Sequence, residues 1–192
     1  MGQILGHRDL VEFFVKLLDR YKVSYLLTGS FAVSYYGYPR ATHDIDFIVE
    51  IKRKDSKKIL KVCEQLGDAF IVDNSQIKEA VNESSEFNIL HTDTGIKMDF
   101  WIVEQNEFEK NKFKRNKATF IDKQKINIIS AEDLVLTKLL WCKTVRSERH
   151  MRDCTGILEV QKNNLDKKYL NVWIKKLELE KLFKEISGLQ YY

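Results

Sequence analysis

Asp44 and Asp46 stand two residues apart in the β-branched run Asp44-Ile-Asp46-Phe-Ile-Val-Glu50. Alternation along a strand sends both carboxylates out of one face and Ile45, Phe47 and Val49 out of the other, toward a core. Neighbouring carboxylates repel, which is costly unless a cation lies between them or water screens them. A third acid, Asp99, interrupts the apolar pattern Lys97-Met-Asp99-Phe-Trp-Ile102. If a strand over 95–103 pairs beside 45–51, Asp99 completes an oxygen cluster. Hard oxygen ligands that leave waters in place suit Mg²⁺ or Mn²⁺. Upstream, Gly29-Ser30 falls between a strand end and a helix start, where free backbone N–H groups attract anions and glycine admits a phosphate to the backbone. Ser30 adds a hydroxyl donor or caps the helix, and it can do both. Arg40, in the loop before the acidic strand, either holds a further phosphate oxygen or is a surface residue after a turn.

The elements that must position these residues follow from periodicity. Leu10, Phe13, Phe14, Leu17, Leu18 and Tyr21 recur at helical spacing over 8–22, and 23–27 reads as a short strand. A short helix over about 30–37 follows, stopped by the Gly37-Tyr-Pro39 turn. Next come the strand 45–51, a Lys-rich helix (55–66), a short strand near 69–72 and a helix from Gln76 to Asn82. The strands Glu86–His91 and Gly95–Val103 are joined by Thr92-Asp-Thr-Gly95, a hairpin turn. A charged stretch (104–116) leads to strands near 118–122 and 125–129. Ser130 with Asp133 resembles a capping box and opens a helix to about 146. Helices near 148–161, 167–177 and 178–187 complete the chain. The expected fold is α+β, a mixed β-sheet core with flanking helices over 1–128, followed by a C-terminal helical bundle over 129–192.

Composition removes other classes. The 192 residues carry 32 Lys and Arg against 28 Asp and Glu, a net charge of +4. That suits a phosphate-bearing substrate and is too mild to argue for nucleic acid by itself. No apolar run is long enough for a transmembrane helix, so no membrane partner is expected. The segment starting Met1-Gly-Gln lacks a secretory leader pattern. Cys63, Cys142 and Cys154 match neither a disulfide framework nor a zinc site, and read as buried free thiols of a cytoplasmic protein.

Leu27-Thr-Gly29-Ser30-Phe-Ala32, then Gly37-Tyr-Pro-Arg40-Ala-Thr42-His-Asp44-Ile-Asp46, resembles the nucleotidyltransferases of the DNA polymerase β superfamily. The fuller string is similar to their small prokaryotic branch of minimal nucleotidyltransferases and abortive-infection toxins. The resemblance implies a transfer of a nucleoside monophosphate from an NTP to an acceptor hydroxyl, with pyrophosphate leaving. Asp44 and Asp46 would bind two divalent ions, and Asp99 would bind one and act as, or help orient, the base. Gly29 and Ser30 would cradle the β- and γ-phosphates. Lys138, inside an apolar helical run, matches a family lysine that reaches the triphosphate, or else snorkels to water. Arg149, Arg152 and Asp153 resemble the family's Arg-x-x-Asp helix, and these C-terminal helices are expected to complete the nucleotide pocket. Spaced by four and three, Arg149, Asp153 and Gly156 share a helix face, with Arg152 at its border; an intrahelical ion network is the plainer reading.

The resemblance leaves the acceptor open: an RNA 3′ end such as tRNA, a protein hydroxyl, or a small molecule. Basic residues interleaved with aromatics at 110–125 favour RNA, although such runs are usually solvated faces. A toxin–antitoxin or phage-defence role follows from the same branch. Aromatics that look exposed, Tyr35, Tyr36 and Trp173, leave a homodimer open. A competing reading is a non-catalytic module of the same fold, acting as antitoxin or as an adaptor for RNA or protein. The three intact carboxylates argue against it.

Overall fold

A computed structural model describes residues 6–104 and 106–188. Residues 1–5, on which half of the leader argument rests, lie outside the described residues. The chain forms two compact units, residues 6–29 with 42–128 and residues 30–41 with 129–188.

In the first unit α1 (His7–Arg20) precedes β1 (Ser24–Leu27), which runs into α2 (Gly29–Tyr36), of which Gly29 alone belongs to this unit. Then come β2 (Asp44–Glu50), a 3₁₀ turn (Arg53–Asp55), α3 (Ser56–Cys63), β3 (Phe70–Val72) and α4 (Asn74–Glu83). β4 (Glu86–His91), β5 (Ile96–Ile102), α5 (Glu107–Lys114), β6 (Lys117–Ile121) and β7 (Gln124–Ile128) complete it. The seven strands among the described residues form one mixed sheet in the order β3-β4-β5-β2-β1-β7-β6. β2 runs parallel to β5 and antiparallel to β1, so the fold is the expected mixed α+β sheet.

One aromatic row explains the register of the central strands. Phe47 pairs with Phe100, which pairs with Phe87, across β2, β5 and β4. The rings stack at 5.2 and 4.9 Å, and Phe14 of α1 closes on Phe47 and Phe100 from above. All four are fully buried, and truncating a core phenylalanine typically costs about 3–5 kcal/mol. A slip of one residue would turn this row to the opposite face, so the core dictates which residues face outward. The hairpin after β4 ends on Gly95, whose φ of +68° is the left-handed conformation such turns require.

The sequence pattern missed α5. Its residues are too charged to show a period, yet Asn106 caps it by accepting from Glu109 N–H at 2.9 Å. Lys112, part of the basic run, is not solvated there: it is buried, pairs with Glu109 at 2.7 Å and lies 4.5 Å over the Phe108 ring.

The second unit is helical: α6 (Ala131–Thr144), α7 (Glu148–Val160), α8 (Lys167–Lys176) and α9 (Glu180–Gly188), with the segment 30–41 packed among them. Ser130 caps α6 as the spacing predicts, accepting from Asp133 N–H and donating to its carboxylate at 2.6 Å. The segment 30–41 is tied down in part by Gln161, which donates to the Tyr36 carbonyl at 2.8 Å. Two of the aromatics read as exposed are not. Tyr36 and Trp173 are buried, Trp173 against Tyr169 with Lys176 over its ring, and only Tyr35 stays open to solvent. The three cysteines are free and buried. Among the described residues, no helix is long and apolar enough to cross a membrane.

Candidate functional site

The same register that buries the phenylalanines builds the acidic face. Asp46 is the direct partner of Asp99 across the parallel β2–β5 pair, and Asp44 is the partner of Lys97. Register partners point to the same side, so Asp44, Asp46, Lys97 and Asp99 occupy four adjacent positions on the face opposite the aromatic row. Asn88 of β4 continues this row beside Asp99. Lys97 holds Asp99 directly, its ammonium 3.0 Å from Oδ2. Burial pushes the Asp99 carboxyl above its ordinary range; Lys97 pulls it down, and the nearby Asp44 charge pushes it up again.

Gly29 closes this face from the side. The Thr28 N–H donates to the Asp46 carbonyl at 2.9 Å, which draws the end of β1 against β2. Gly29 then turns into α2 with φ +59°, and a Cβ there would lie 1.8 Å from Asp46 Oδ2 and 2.8 Å from Asp46 Cβ. The far end of the carboxylate could swing aside, but the Cβ is fixed to the strand. Replacing Gly29 with Ala is therefore expected to misplace Asp46 and to strain the backbone by about 1–2 kcal/mol. Urea unfolding of Gly29→Ala should show that strain as a lowered midpoint. Ser30 follows, buried inside the first turn of α2 and so two residues past the capping position.

Among the described residues no three or more His, Cys, Asp and Glu side chains form a ready-made metal cage. The donor chemistry nevertheless fits a hard divalent cation: three carboxylates on neighbouring positions of two strands, with the charge of one already felt by another.

The second unit carries a separate cationic cluster. Asp153 on α7 is its hub. It accepts from Arg40 through Nε at 3.1 Å and Nη2 at 3.2 Å, and from Lys138 Nζ at 2.9 Å. Lys138 is 1% exposed, the extreme for a lysine, and its ammonium is committed to Asp153. Burial alone would raise the Asp153 carboxyl, but Arg40 and Lys138 outweigh it and hold the group below its usual range. Asp153 thus pairs across the fold, with Arg40 and Lys138, rather than along its own helix. Arg149 and Arg152, both exposed, join Arg40, Tyr38 and Gly156 in lining a cavity of about 420 Å³.

Sequence reasoning passed over two neighbours of these groups, Lys97 as a site residue and His150. His150 Nδ1 lies 3.4 Å from Lys138 Nζ, and its ring packs 5.3 Å from Trp141. Its position one turn before Asp153 was the available signal. Burial, then the charges of Lys138 and Arg149, lower its pKa to about 4, against the opposing pull of Asp153. The unfolded chain therefore binds a proton at this residue before the folded chain does. Its contribution to stability is complete above the unfolded value of about 6.5 and is lost as pH falls toward about 4. Urea unfolding at pH 7.5 and 5 should show wild type losing stability across this window, and His150→Gln losing less.

A sequence model of a family described as nucleotidyl transferase AbiEii toxin, type IV toxin–antitoxin system, matches residues 16–185. No curated protein matches the chain. Solved structures do. The antibiotic-resistance factor ANT(2″)-Ia superposes with a TM-score of 0.59 at 11% identity, covering 96% of this chain and 97% of that one. The lincosamide antibiotic adenylyltransferase LnuA, lincomycin-bound, gives 0.53 at 17% identity over 82% and 99% of the two chains. An antigenic nucleotidyltransferase-like protein from Paracoccidioides brasiliensis gives 0.56 at 13%, over 93% and 89%. At these identities the likeness is one of fold.

Proposed function

Because the chain belongs to the AbiEii family of nucleotidyl transferase toxins, and so is a nucleotidyltransferase, we propose that it moves a nucleoside monophosphate from an NTP to an acceptor hydroxyl in a metal-dependent reaction on the β2–β5 face. One observation carries the finer reading: the parallel register that sets Asp46 beside Asp99 with Asp44 next along the strand, closed off by a glycine that leaves no room for a side chain.

Asp44, Asp46 and Asp99 are the residues that would hold the ions, Mg²⁺ or Mn²⁺. When bound, two such ions neutralise the phosphate charge and stabilise the attacking and leaving oxygens. Gly29 and Ser30, at the start of α2, offer backbone N–H groups to the phosphates of the NTP. Asp99 takes the proton of the attacking hydroxyl or helps orient the base that does. The hydroxyl oxygen bonds to the α-phosphorus, the bond from that phosphorus to its bridging oxygen breaks, and pyrophosphate carries the negative charge away. Arg149 and Arg152 supply positive charge for phosphates in the second unit. Arg40 and Lys138 act through Asp153, which they hold ionised. The family's toxin role extends the proposal: the transfer disables an acceptor the cell needs.

Incubation with each α-³²P-labelled NTP, a divalent ion, total tRNA and cell lysate tests this directly, with an Asp44→Ala/Asp46→Ala protein alongside. Label on RNA, on a protein or on a small molecule, absent with the variant, would establish the transfer and name the acceptor class. No transfer and no metal-dependent NTP binding would overturn the metal-dependent reading.

A further inference from the structure

Lys97 is placed oddly for a residue with no part in the chemistry. It lies two residues before Asp99 on β5, hence on the same face, and is the register partner of Asp44 on β2. Its ammonium is 3.0 Å from Asp99 Oδ2, and the charges of Asp44 and Glu86 act on it as well. The three carboxylates of the candidate site therefore share their face with the Lys97 ammonium. The two partners differ in freedom: the Asp99 side chain is 13% exposed, whereas that of Lys97 is 44% exposed on a flexible four-carbon stem. The carboxylate is fixed by the strand and the lysine can leave.

We propose that Lys97 is a resident counter-ion of the acidic face, occupying Asp99 until a divalent cation displaces it, and so setting how tightly that face holds metal. This rests on the metal-dependent reading above. An ammonium and a hydrated divalent ion compete for the same carboxylate oxygens, and the ion wins by its double charge and by drawing on Asp44 and Asp46 together. A structural role explains the position less well, because a half-exposed ion pair adds little to the stability of a fold. The same weakness means that removing Lys97 leaves the protein folded. Lys97 is a positioning residue in this scheme: it acts through Asp99.

Manganese titration of the full chain without nucleotide, read by the electron paramagnetic resonance of free Mn²⁺, provides the test. Lys97→Met should bind Mn²⁺ about tenfold more tightly than wild type, given one cation removed from within a few ångströms. Lys97→Arg keeps the charge, and Lys125→Met removes an exposed charge on β7; both should stay within about twofold of wild type. Displacement has a second signature. Acylation of Lys97 by an amine reagent, followed by mass spectrometry, should rise when Mg²⁺ is added, while that of Lys125 should not. Unchanged or weaker binding by Lys97→Met, an equal gain in Lys125→Met, or no rise in Lys97 labelling overturns this inference and leaves the metal-dependent reading standing. Absence of Mn²⁺ binding in wild type and every variant overturns this inference too, and the labelled-NTP assay then decides the metal-dependent reading by itself.

Discussion

Asp46→Asn is expected to lower nucleotidyl transfer by at least about a thousandfold while leaving the protein folded. Asparagine keeps the shape of the side chain and removes its charge. The backbone pairing of β2 with β1 and β5 does not depend on that charge, and the side chain sits on the half-exposed face, away from the phenylalanine row. The loss therefore falls on ion and phosphate handling. Relief of repulsion among neighbouring carboxylates should, if anything, raise the thermal midpoint slightly, as is common when an active-site charge is removed. Two measurements check it together: initial rates with labelled NTP, and a melting curve. A variant that retains transfer within about tenfold would mean that the acidic face is not where the chemistry happens.

Asp153→Ala has the largest expected effect on stability. The carboxylate stands between Arg40 and a lysine almost sealed from solvent, and alanine would leave both cations without their partner. Breaking a buried ion pair from one side typically costs about 3–5 kcal/mol, a large part of the 5–15 kcal/mol that holds most domains folded. Urea denaturation should show a midpoint shift of that size. Arg40 is partly exposed and can turn to water, so most of the penalty belongs to Lys138. The double variant Lys138→Met/Asp153→Leu should accordingly recover most of the loss, since an apolar pair of similar volume often replaces a buried ion pair at little cost. Failure of the double variant to recover would point instead to packing around α7.

Much of this could be read from residue order. The alternation in 44–50 and 96–102 set the facing of Asp44, Asp46 and Asp99, and the 3.6-residue period placed α1 and α6 to α9 within a few residues of their ends. Whether the two acidic strands were neighbours was beyond such reading, because strand order depends on pairing between distant segments. For the same reason the partners of Asp153 were hidden: one lies 113 residues upstream and the other on a different helix. Lys138 looked like a cation reaching out, since nothing local says that an apolar helix is covered on every side. The helix α5 was missed because its stability comes from a cap, a favourable order of end charges and one buried phenylalanine rather than from an apolar stripe.

The parallel neighbours β2 and β5 have a consequence for the newborn chain. About fifty residues separate Asp46 from Asp99, and the segment between them must thread through α3, β3, α4 and β4 before the two strands can meet. Pairing of such distant segments is slow to form, and the ribosome delivers the N-terminal partner first, at about 5–20 residues per second. During those seconds the emerging protein holds two of its three carboxylates and no finished sheet. A chain halted before β5 has neither Asp99 nor the strand that sets it beside Asp46, so the acidic face exists only once the sheet around it is complete.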